Sequence, residues 1–434
     1  MTRPWSIGWA LAASLGCLPK IEVEAPPTST PPTVAAAPTT AAAFRHEVPI
    51  EVVQGVAIVQ VRVDGLDRPL SLAIDSGAPT LLRTSIAAEL GLVSGEVLRG
   101  DDAHGDALTG ARVVIPALRV GELRVEDVAG LAVELPDFAV LCHELDGLLG
   151  VGIEVGTGFL DRVAIELDYD RERLVLADSA ASLSQGGVTT RLTRAIEGPS
   201  GPQVYTASLL PAVIDGQEGW IAIDTGNNGE VHVNRDVFDA LGYTAIDPSI
   251  RTRRGLLSAS ASGTQSGFSH EARLRSLVLG GVEFQGVPMT VPPAGNNAPV
   301  GVMLGYEFLR HFTVILDHPG ETLRLVPIAG GDPSESAPEL GFGFLEQQGK
   351  VEVVMLLAGG PAEEAGVALG DELIEFEGRP IAAGDVAAQC EARGSPLRRG
   401  DEPVSVRLRR DDREWTVEIT PRPALPPWLF KHVQ

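Results

Sequence analysis

Cysteine and positive charge are both scarce in this sequence of 434 residues, and each shortage excludes a class of protein. The three cysteines, Cys17, Cys142 and Cys390, are too few and too far apart for the disulfide framework of a small secreted domain. The 34 Lys and Arg residues are outnumbered by 58 Asp and Glu residues, which gives a formal net charge of −24. Nucleic acids and anionic membrane surfaces are therefore poor partners.

Motifs of two common hydrolase classes are also absent. The sequence contains no His-Glu-x-x-His zinc motif and no Gly-x-Ser-x-Gly nucleophile elbow. The eight histidines are scattered, which favours surface or core positions over zinc ligation. We therefore expect no metal and no cofactor.

The sequence begins with the layout of an export signal. Arg3 is followed by a short apolar run from Ile7 to Leu15, too short to span a bilayer, and then by Gly16-Cys17. The Gly-Cys ending resembles a bacterial lipoprotein signal, whose cysteine is acylated after cleavage; an ordinary secretory signal cut nearby is the alternative. We assign residues 1–17 to the signal and 18–45, rich in Pro, Thr and Ala, to an extended tether. A lipid-anchored protein of the cell envelope or periplasm is expected.

Two segments of the chain repeat one pattern of strand, acidic turn and helix. In "SLAIDSGAPT" an apolar strand ends at Asp75-Ser76-Gly77, and in "WIAIDTGNNGEV" another ends at Asp224-Thr225-Gly226. An apolar-apolar-Gly segment follows each of them, "GLLG" at 147–150 and "VMLG" at 302–305. One Asp-Ser/Thr-Gly triplet is weak evidence, but two copies in matched frames indicate an internal duplication.

This repeated frame resembles that of the retropepsin-like and pepsin-like aspartic peptidases, with both halves in one chain. The resemblance assigns residues 46–180 to the first half and 188–328 to the second, each a β-barrel half of a pseudo-dimer. It implies that Asp75 and Asp224 are the two catalytic acids. The positions that it implies as support for the two active-site loops are Ser76, Gly77, Leu149 and Gly150 in the first half and Thr225, Gly226, Leu304 and Gly305 in the second.

Two adjacent carboxyl groups suit peptide hydrolysis without a metal or a covalent intermediate. At a separation of about 3 Å both groups cannot ionise, so the pair shares one proton. The ionised partner then takes a proton from water while the neutral partner polarises the scissile carbonyl. A duplicated barrel that has kept its turns and lost its activity is the alternative.

Two features depart from the pattern of that family. Flaps that close over the substrate are expected at 100–113 and 253–268, and both segments are rich in Gly or Ser. In the pepsin-like branch of the family the flap carries a tyrosine, whereas neither of these segments contains one. The residue three past each acid, which bears a hydroxyl in acid-optimum pepsin-like members, is Ala78 in one half and Asn227 in the other. We therefore expect Asp75 to ionise less readily and activity to peak at weakly acidic pH.

The C-terminal part of the sequence resembles a PDZ domain. A polar linker at 329–339 precedes the matching segment, 340–421, and a tail follows at 422–434. Gly341, Phe342, Gly343 and Phe344 match the loop that binds the C-terminal carboxylate of a peptide in that family. A PDZ-shaped packing module with a closed groove is the alternative.

These features predict a mainly β protein of two peptidase-type halves and an α+β PDZ domain. The predicted function is that of an exported, monomeric aspartic endopeptidase that cleaves extended polypeptides, with the PDZ domain binding peptide ends or regulating cleavage. The alternative from another class is a catalytically inactive envelope scaffold that binds extended peptides with the same folds.

Overall fold

The computed structural model describes residues 12–13, 43–92, 95–102, 104, 106–136, 142–198, 201–260, 263–293, 298, 300–394 and 402–426. Cys17, most of the predicted tether and residues 427–434 of the predicted tail lie outside this described part. The fold is mostly β, as predicted. No helix of the described part is long and apolar enough to cross a membrane. Numbered in chain order, the first strands are β1 (Ala12–Ala13) and β2 (Arg45–Pro49).

The first half is an eight-stranded sheet that closes on itself. Its elements are β3 (Glu51–Val53), β4 (Val56–Val63), β5 (Leu70–Pro79), β6 (Leu81–Arg83), α1 (Thr84–Glu89), β7 (Val97–Asp101), β8 (Ala107–Val120), β9 (Leu123–Val133) and β10 (Gly147–Val151). The strand order is β3-β4-β5-β10-β6-β9-β8-β7, and β4 also pairs with β8. That second pairing of β4 closes the sheet into a barrel.

The second half repeats this order strand for strand. Its elements are β14 (Thr193–Gly198), β15 (Gly201–Ile214), β16 (Gln217–Ile223), β17 (Val231–Val233), α2 (Arg235–Ala240), β18 (Arg251–Ser260), β19 (Gly263–Leu279), β20 (Val282–Val291), β21 (Val302–Leu304) and α3 (Tyr306–Leu309). The order is β14-β15-β16-β21-β17-β20-β19-β18, with β15 also pairing with β19, and β1 pairs with β18. The duplication seen in the sequence is therefore a duplication of topology.

A six-stranded sheet joins the two halves. Its strands are β2, β11 (Ala164–Asp168), β12 (Arg173–Ala177), β13 (Val188–Arg191), β22 (Phe312–Asp317) and β23 (Thr322–Pro327), in the order β13-β23-β22-β11-β12-β2. The central strands β11 and β22 are equivalent in the two halves and pair antiparallel, with Ala164 opposite Asp317 and Leu167 opposite Val314. Since equivalent strands meet there, the pseudo-twofold axis passes between them.

The C-terminal part folds around three phenylalanines, Phe342, Phe344 and Phe376, which lie in one buried cluster. Its elements are β24 (Pro338–Glu339), β25 (Phe342–Gln347), β26 (Lys350–Leu357), α4 (Pro361–Glu364), β27 (Glu372–Phe376), β28 (Arg379–Pro380), α5 (Val386–Gly394), β29 (Val404–Arg410), β30 (Arg413–Ile419) and β31 (Arg422–Pro423). Strand β24 of the predicted linker pairs with β31 of the predicted tail, so both ends of this part are ordered against each other.

A strand pairing and a disulfide join the C-terminal part to the body, and neither was foreseen from the sequence. Strand β26 pairs with β18, with Arg253 opposite Leu357 and Gly255 opposite Met355, so the sheet of the second half continues into the C-terminal part. A disulfide joins Cys142, in the first half, to Cys390 in α5. The C-terminal part is therefore attached to the body by more than its linker, because β26 pairs with the second half and α5 is bonded to the first half.

Candidate active site

The turn that carries Asp75 is supported by strand β10, which passes between the strands on either side of that turn. Within β10, Leu149 lies opposite Ile74 of β5 in parallel register. The same strand pairs antiparallel with β6, which lies beyond the turn. Gly150 permits this passage, because a Cβ at that position would collide with the backbone oxygen of Ala78. Strand β10 thus lies between the two strands that flank the Asp75 turn and pairs with both of them.

Asp224 has the equivalent setting in the second half. Strand β21 pairs with β16 in parallel, with Leu304 opposite Ile223, and antiparallel with β17. The backbone N–H of Asp224 donates to the carbonyl of Leu304 over 3.1 Å. Gly305 lies close to the acidic loop, since a Cβ there would be 2.5 Å from the carbonyl oxygen of Gly229. Each of the two acidic turns is therefore supported by an apolar-apolar-Gly strand.

The residues that follow the two acids lock the turns together across the halves. The backbone N–H of Ser76 donates to Thr225 Oγ1 over 3.0 Å, and that of Thr225 donates to Ser76 Oγ over 3.1 Å. Each hydroxyl in turn donates to the opposite strand, Ser76 Oγ to the Ile223 carbonyl at 3.1 Å and Thr225 Oγ1 to the Ile74 carbonyl at 2.8 Å. These buried hydrogen bonds fix the two turns face to face.

The interlocked turns bring Asp75 and Asp224 together. A Cβ on Gly77 would lie 2.7 Å from Asp224 Cγ, so each glycine runs against the carboxyl group of the other half. Within each half, the glycine amide donates to Oδ1 of its own aspartate, from Gly77 at 2.8 Å and from Gly226 at 2.9 Å. Oδ2 of Asp75 has no hydrogen-bond partner among the described residues. It is the oxygen of Asp75 that is left for a proton or a reactant.

Burial and mutual repulsion determine the protonation of this pair. Both carboxyl groups are fully buried. Burial first, and then the negative charge of Asp224, raise the pKa of Asp75 well above its ordinary value, and the backbone amides of Gly77 and Ala78 offset part of that rise. Two such groups in contact retain a proton at a pH where a solvated aspartate has lost it.

The positions three past each acid offer no hydroxyl to the carboxyl groups. Ala78 is buried and contributes only its backbone amide. The side chain of Asn227 is bound within its own loop, since its Oδ1 accepts the backbone N–H of Gly229 at 2.8 Å. The backbone N–H of Asn227 donates to the Asp224 carbonyl at 3.3 Å. The structure thus agrees with the premise, drawn from the sequence, that Asp75 lacks a hydroxyl donor at position 78.

Two further contacts, one at the Asp75 loop and one between the halves, were not singled out in the sequence. Thr80 Oγ1 donates to the Gly150 carbonyl at 3.0 Å and accepts the Gly150 amide at 3.2 Å, which ties the Asp75 turn to its supporting strand. The buried side chains of Asp161 and Arg194 form an ion pair at 2.9 Å between the halves. The position of Thr80, five residues past Asp75, is a sequence feature that could have indicated the first contact. No feature of the sequence indicates that Asp161 pairs with Arg194.

The two segments predicted as flaps form hairpins, β7–β8 and β18–β19, at equivalent places in the two halves. Their tips touch: Ser258 Oγ lies 2.9 Å from His104 Nε2. Because equivalent hairpins of two related halves can meet only near the axis that relates them, the tips lie on the same pseudo-twofold axis as the aspartate pair.

The predicted carboxylate-binding loop leads into strand β25. Gly341 has a φ of +79°, a conformation that glycine adopts without strain. The rings of Phe342 and Phe344 are buried in the core of the C-terminal part. The guanidinium group of Arg393, on α5, lies 5.5 Å from the centre of the Phe344 ring. Peptide binding by Gly341, Phe342, Gly343 and Phe344 stays a prediction.

Comparison with family models divides the chain as the fold does, into two related halves and a C-terminal part. The aspartyl protease family model matches residues 59–153 and 210–308, the two segments that contain Asp75 and Asp224. A PDZ domain model matches residues 338–420. The chain joins two aspartyl protease-like halves to a PDZ domain.

Solved structures similar to this protease-like and PDZ chain include an aspartic proteinase from Irpex lacteus and basic 7S globulin from soybean. The first is 15% identical, covers 67% of this chain and 99% of its own, and has a TM-score of 0.42. The second is 10% identical, covers 68% of this chain and 99% of its own, and has a TM-score of 0.38. No curated protein matches the sequence.

Proposed function

We propose that the protein is an exported aspartic endopeptidase in which Asp75 and Asp224 activate a water molecule for attack on a peptide bond. The observation that carries the proposal is the reciprocal lock between Ser76 and Thr225, which places two buried carboxyl groups in contact. A structural duplication alone would need neither acid at this buried interface, where an uncompensated charge destabilises the fold.

The geometry supports a shared-proton mechanism. The raised pKa of Asp75 keeps one proton on the pair, so one carboxyl is neutral and the other is ionised. The ionised group takes a proton from the attacking water as its oxygen bonds to the carbonyl carbon, and the neutral group donates a hydrogen bond to the carbonyl oxygen as charge develops on it. The C–N bond then breaks, and the proton taken from water passes to the leaving nitrogen. The two acids titrate as a unit, so a pH profile will report values that belong to the pair.

Replacing either acid by its amide tests the proposal. We expect Asp75→Asn and Asp224→Asn each to abolish cleavage of a denatured-protein mixture, because the two roles cannot be carried by one carboxyl. Asp67→Asn, at an exposed aspartate that precedes the same strand, is the matched control and should keep full activity. A statine-type transition-state analogue should block wild-type cleavage. The mechanism would be contradicted if either amide variant kept more than about a tenth of wild-type activity, which corresponds to a rise of under ~1.4 kcal/mol in the activation free energy.

Export is supported by the signal sequence and by the disulfide, and anchoring by the Gly16-Cys17 ending of that signal. A bond between Cys142 and Cys390 suits an oxidising compartment such as the periplasm. Cys17 is proposed as the acylated residue, and Cys17→Ser should release the protein from the membrane fraction and abolish incorporation of labelled fatty acid. Both halves of the site belong to one chain, so a monomer is proposed, and its specific activity should not fall on dilution.

An inactive peptide-binding scaffold is favoured by one observation, the complete burial of both carboxyl groups in a structure whose flap tips touch each other. In that case the wild-type protein would cleave nothing at any pH, while extended peptides would still bind. The PDZ domain is proposed to bind peptide C-termini under either function, through Gly341, Phe342, Gly343 and Phe344.

A further inference from the structure

Helix α5 lies along strand β25, and the two elements form the sides of the predicted peptide-binding groove. Gln389 Nε2 donates to Glu346 Oε2 at 3.1 Å. The guanidinium group of Arg393 lies 5.5 Å from the centre of the Phe344 ring. No strand of the described part pairs with β25 except β26, so the other edge of β25 faces the helix side. In PDZ domains an exposed sheet edge receives the end of a peptide as an added strand.

The disulfide brings a residue of the first half to this groove. Cys390 lies on α5 between Gln389 and Arg393, the two residues that contact β25. It is bonded to Cys142, and Arg393 Nη1 donates to the Cys142 sulfur over 3.2 Å. Cys142 is thus held beside the guanidinium group that packs on Phe344, one of the four residues predicted to bind a peptide carboxylate. The carboxylate end of the groove is next to a segment of the protein itself.

The segment that carries Cys142 is anchored on the first half. The Arg83 side chain donates to the backbone carbonyls of Leu135 and Leu145, each over 2.6 Å. Because Leu135 precedes Cys142 and Leu145 follows it, these two bonds hold both sides of the segment. The disulfide therefore joins α5 to a fixed point of the first half.

The bond also holds Cys142 in an unfavourable backbone conformation. Its φ is +56°, in the left-handed region that few residues with a Cβ adopt. Breaking the bond would let this backbone relax and would release α5 from the first half. The C-terminal part would stay on the body, because the pairing of β26 with β18 does not involve either cysteine. Both cysteines are only half-buried, which suits attack by a reductant.

We propose that the disulfide between Cys142 and Cys390 is a redox switch on the peptide-binding groove. When formed, the bond holds Cys142 at the carboxylate end of the groove and excludes a peptide C-terminus. When a dithiol reductant cleaves the bond, the groove opens to extended peptides that end in a free carboxylate. The switch rests on the proposed binding of peptide C-termini by this domain, and it adds the regulation of that site.

The switch operates by thiol–disulfide exchange. A thiolate of the dithiol attacks one sulfur of the bond, which forms a mixed disulfide and releases the other cysteine as a thiolate. The second thiol of the reductant then displaces the first cysteine, and the reductant leaves as a disulfide. Two electrons pass to the protein, together with two protons that convert both cysteines to thiols. In an oxidising compartment the closed form is the expected resting state.

Peptide binding by the full-length protein tests the switch. The probe is an array of random peptides with free C-termini, and the same peptides as C-terminal amides are the reference. We expect the wild type to bind free C-termini about a hundredfold more tightly after treatment with dithiothreitol, because a tethered occupant competes at high effective concentration. Combining Cys142→Ser with Cys390→Ser should give tight binding with or without dithiothreitol. Cys17→Ser, which keeps the disulfide, should respond as the wild type does.

Hydrogen exchange tests the switch without reference to peptide binding. On reduction of the wild type, peptides from β25 should lose protection, whereas peptides from β30 should not change. Because β25 carries neither cysteine, such a loss reports the uncovering of the groove and not the fraying of α5. Reduction of the wild type needs no substitution, so this measurement decides the matter even if the double serine variant does not fold.

Failure of the switch and failure of the proposed functions are separate outcomes. Loss of β25 protection on reduction, without binding of any peptide, would support the switch and contradict the proposed binding of peptide C-termini. Unchanged β25 protection on reduction, or equal binding of free C-termini by the oxidised and reduced wild type, would overturn the switch. Neither measurement involves cleavage, so an inactive aspartate pair would leave both results unaffected.

Discussion

The backbone of Gly226 passes so close to Asp75 that a Cβ on Gly226 would lie 2.5 Å from the carboxyl carbon of that aspartate. Gly77 stands in the same relation to Asp224, at 2.7 Å. Each half of the protein therefore provides one acid together with the glycine that makes room for the acid of the other half. The spacing of the pair depends on both glycines.

An added methyl group at either glycine should displace an acid. We expect Gly226→Ala and Gly77→Ala each to reduce kcat by about a hundredfold, the cost of an ångström-scale misplacement of a catalytic group. Gly219→Ala is the matched control, since nothing lies within 4 Å of its Cβ position. Steady-state kinetics, with far-UV circular dichroism to check the fold, make the measurement. Normal kcat in Gly226→Ala would show that the loop can yield without moving Asp75.

The lock between the halves should be visible in stability. Thr225→Ala removes the acceptor of the Ser76 amide and the donor to the Ile74 carbonyl, leaving two buried groups unsatisfied at about 1–3 kcal/mol each. We expect urea denaturation to show a corresponding loss in the free energy of unfolding. Thr225→Ser keeps the hydroxyl and should lose much less. Equal unfolding free energies for the alanine and serine variants would mean that the hydroxyl bonds contribute little.

The raised pKa of Asp75 makes a prediction about stability against pH. Because the folded protein binds this proton more tightly than the unfolded chain, the benefit is present at low pH and is lost as the pH rises through the folded-state pKa. Asp75→Asn carries no charge, so its stability relative to the wild type should increase with pH. Urea curves at several pH values, with Asp67→Asn as control, measure the difference. A difference independent of pH would contradict the assignment of the raised pKa to Asp75.

Strand β18 connects the flap tip with the PDZ domain. Gly255, with a φ of +107°, lies against the carbonyl oxygen of Val354 in β26, and a Cβ there would collide with it. We expect Gly255→Ala to separate the two strands and to change both the melting temperature and kcat/KM. Gly281→Ala, where φ is +82° and no atom is near the Cβ position, carries similar backbone strain without the collision. Equal effects of the two variants would show that the β18–β26 contact is dispensable.

The aspartate pair could be predicted from the sequence because the duplication left the same short pattern twice, and the hydroxyls of Ser76 and Thr225 are part of that pattern. The disulfide could not, since Cys142 and Cys390 are 248 residues apart and no local signal pairs them. Nor could the pairing of β18 with β26, which joins strands of two separately recognisable parts. The polar residues of the flap tips were visible in the sequence, but their contact depends on how the two halves are placed.

The pH optimum depends on the residue three past Asp75. Ala78 is fully buried and gives the carboxyl group only a backbone amide. A serine hydroxyl at this position would donate a hydrogen bond to the ionised form of Asp75, and such a bond lowers the pKa of a carboxyl group. We therefore expect the wild type to be most active at weakly acidic pH and Ala78→Ser to shift the kcat/KM profile toward lower pH.

Ala78→Gly, which changes the side chain at the same position without adding a donor, is the control, and its profile should stay in place. The profiles should be recorded on a peptide without titratable side chains, so that only groups of the enzyme contribute. Because the two acids share a proton, the whole acidic limb should move together in Ala78→Ser. A wild-type maximum below about pH 3, under the ordinary aspartate value, or an Ala78→Ser profile that is unmoved or shifted upward, would show that a missing hydroxyl does not set the pKa of the pair.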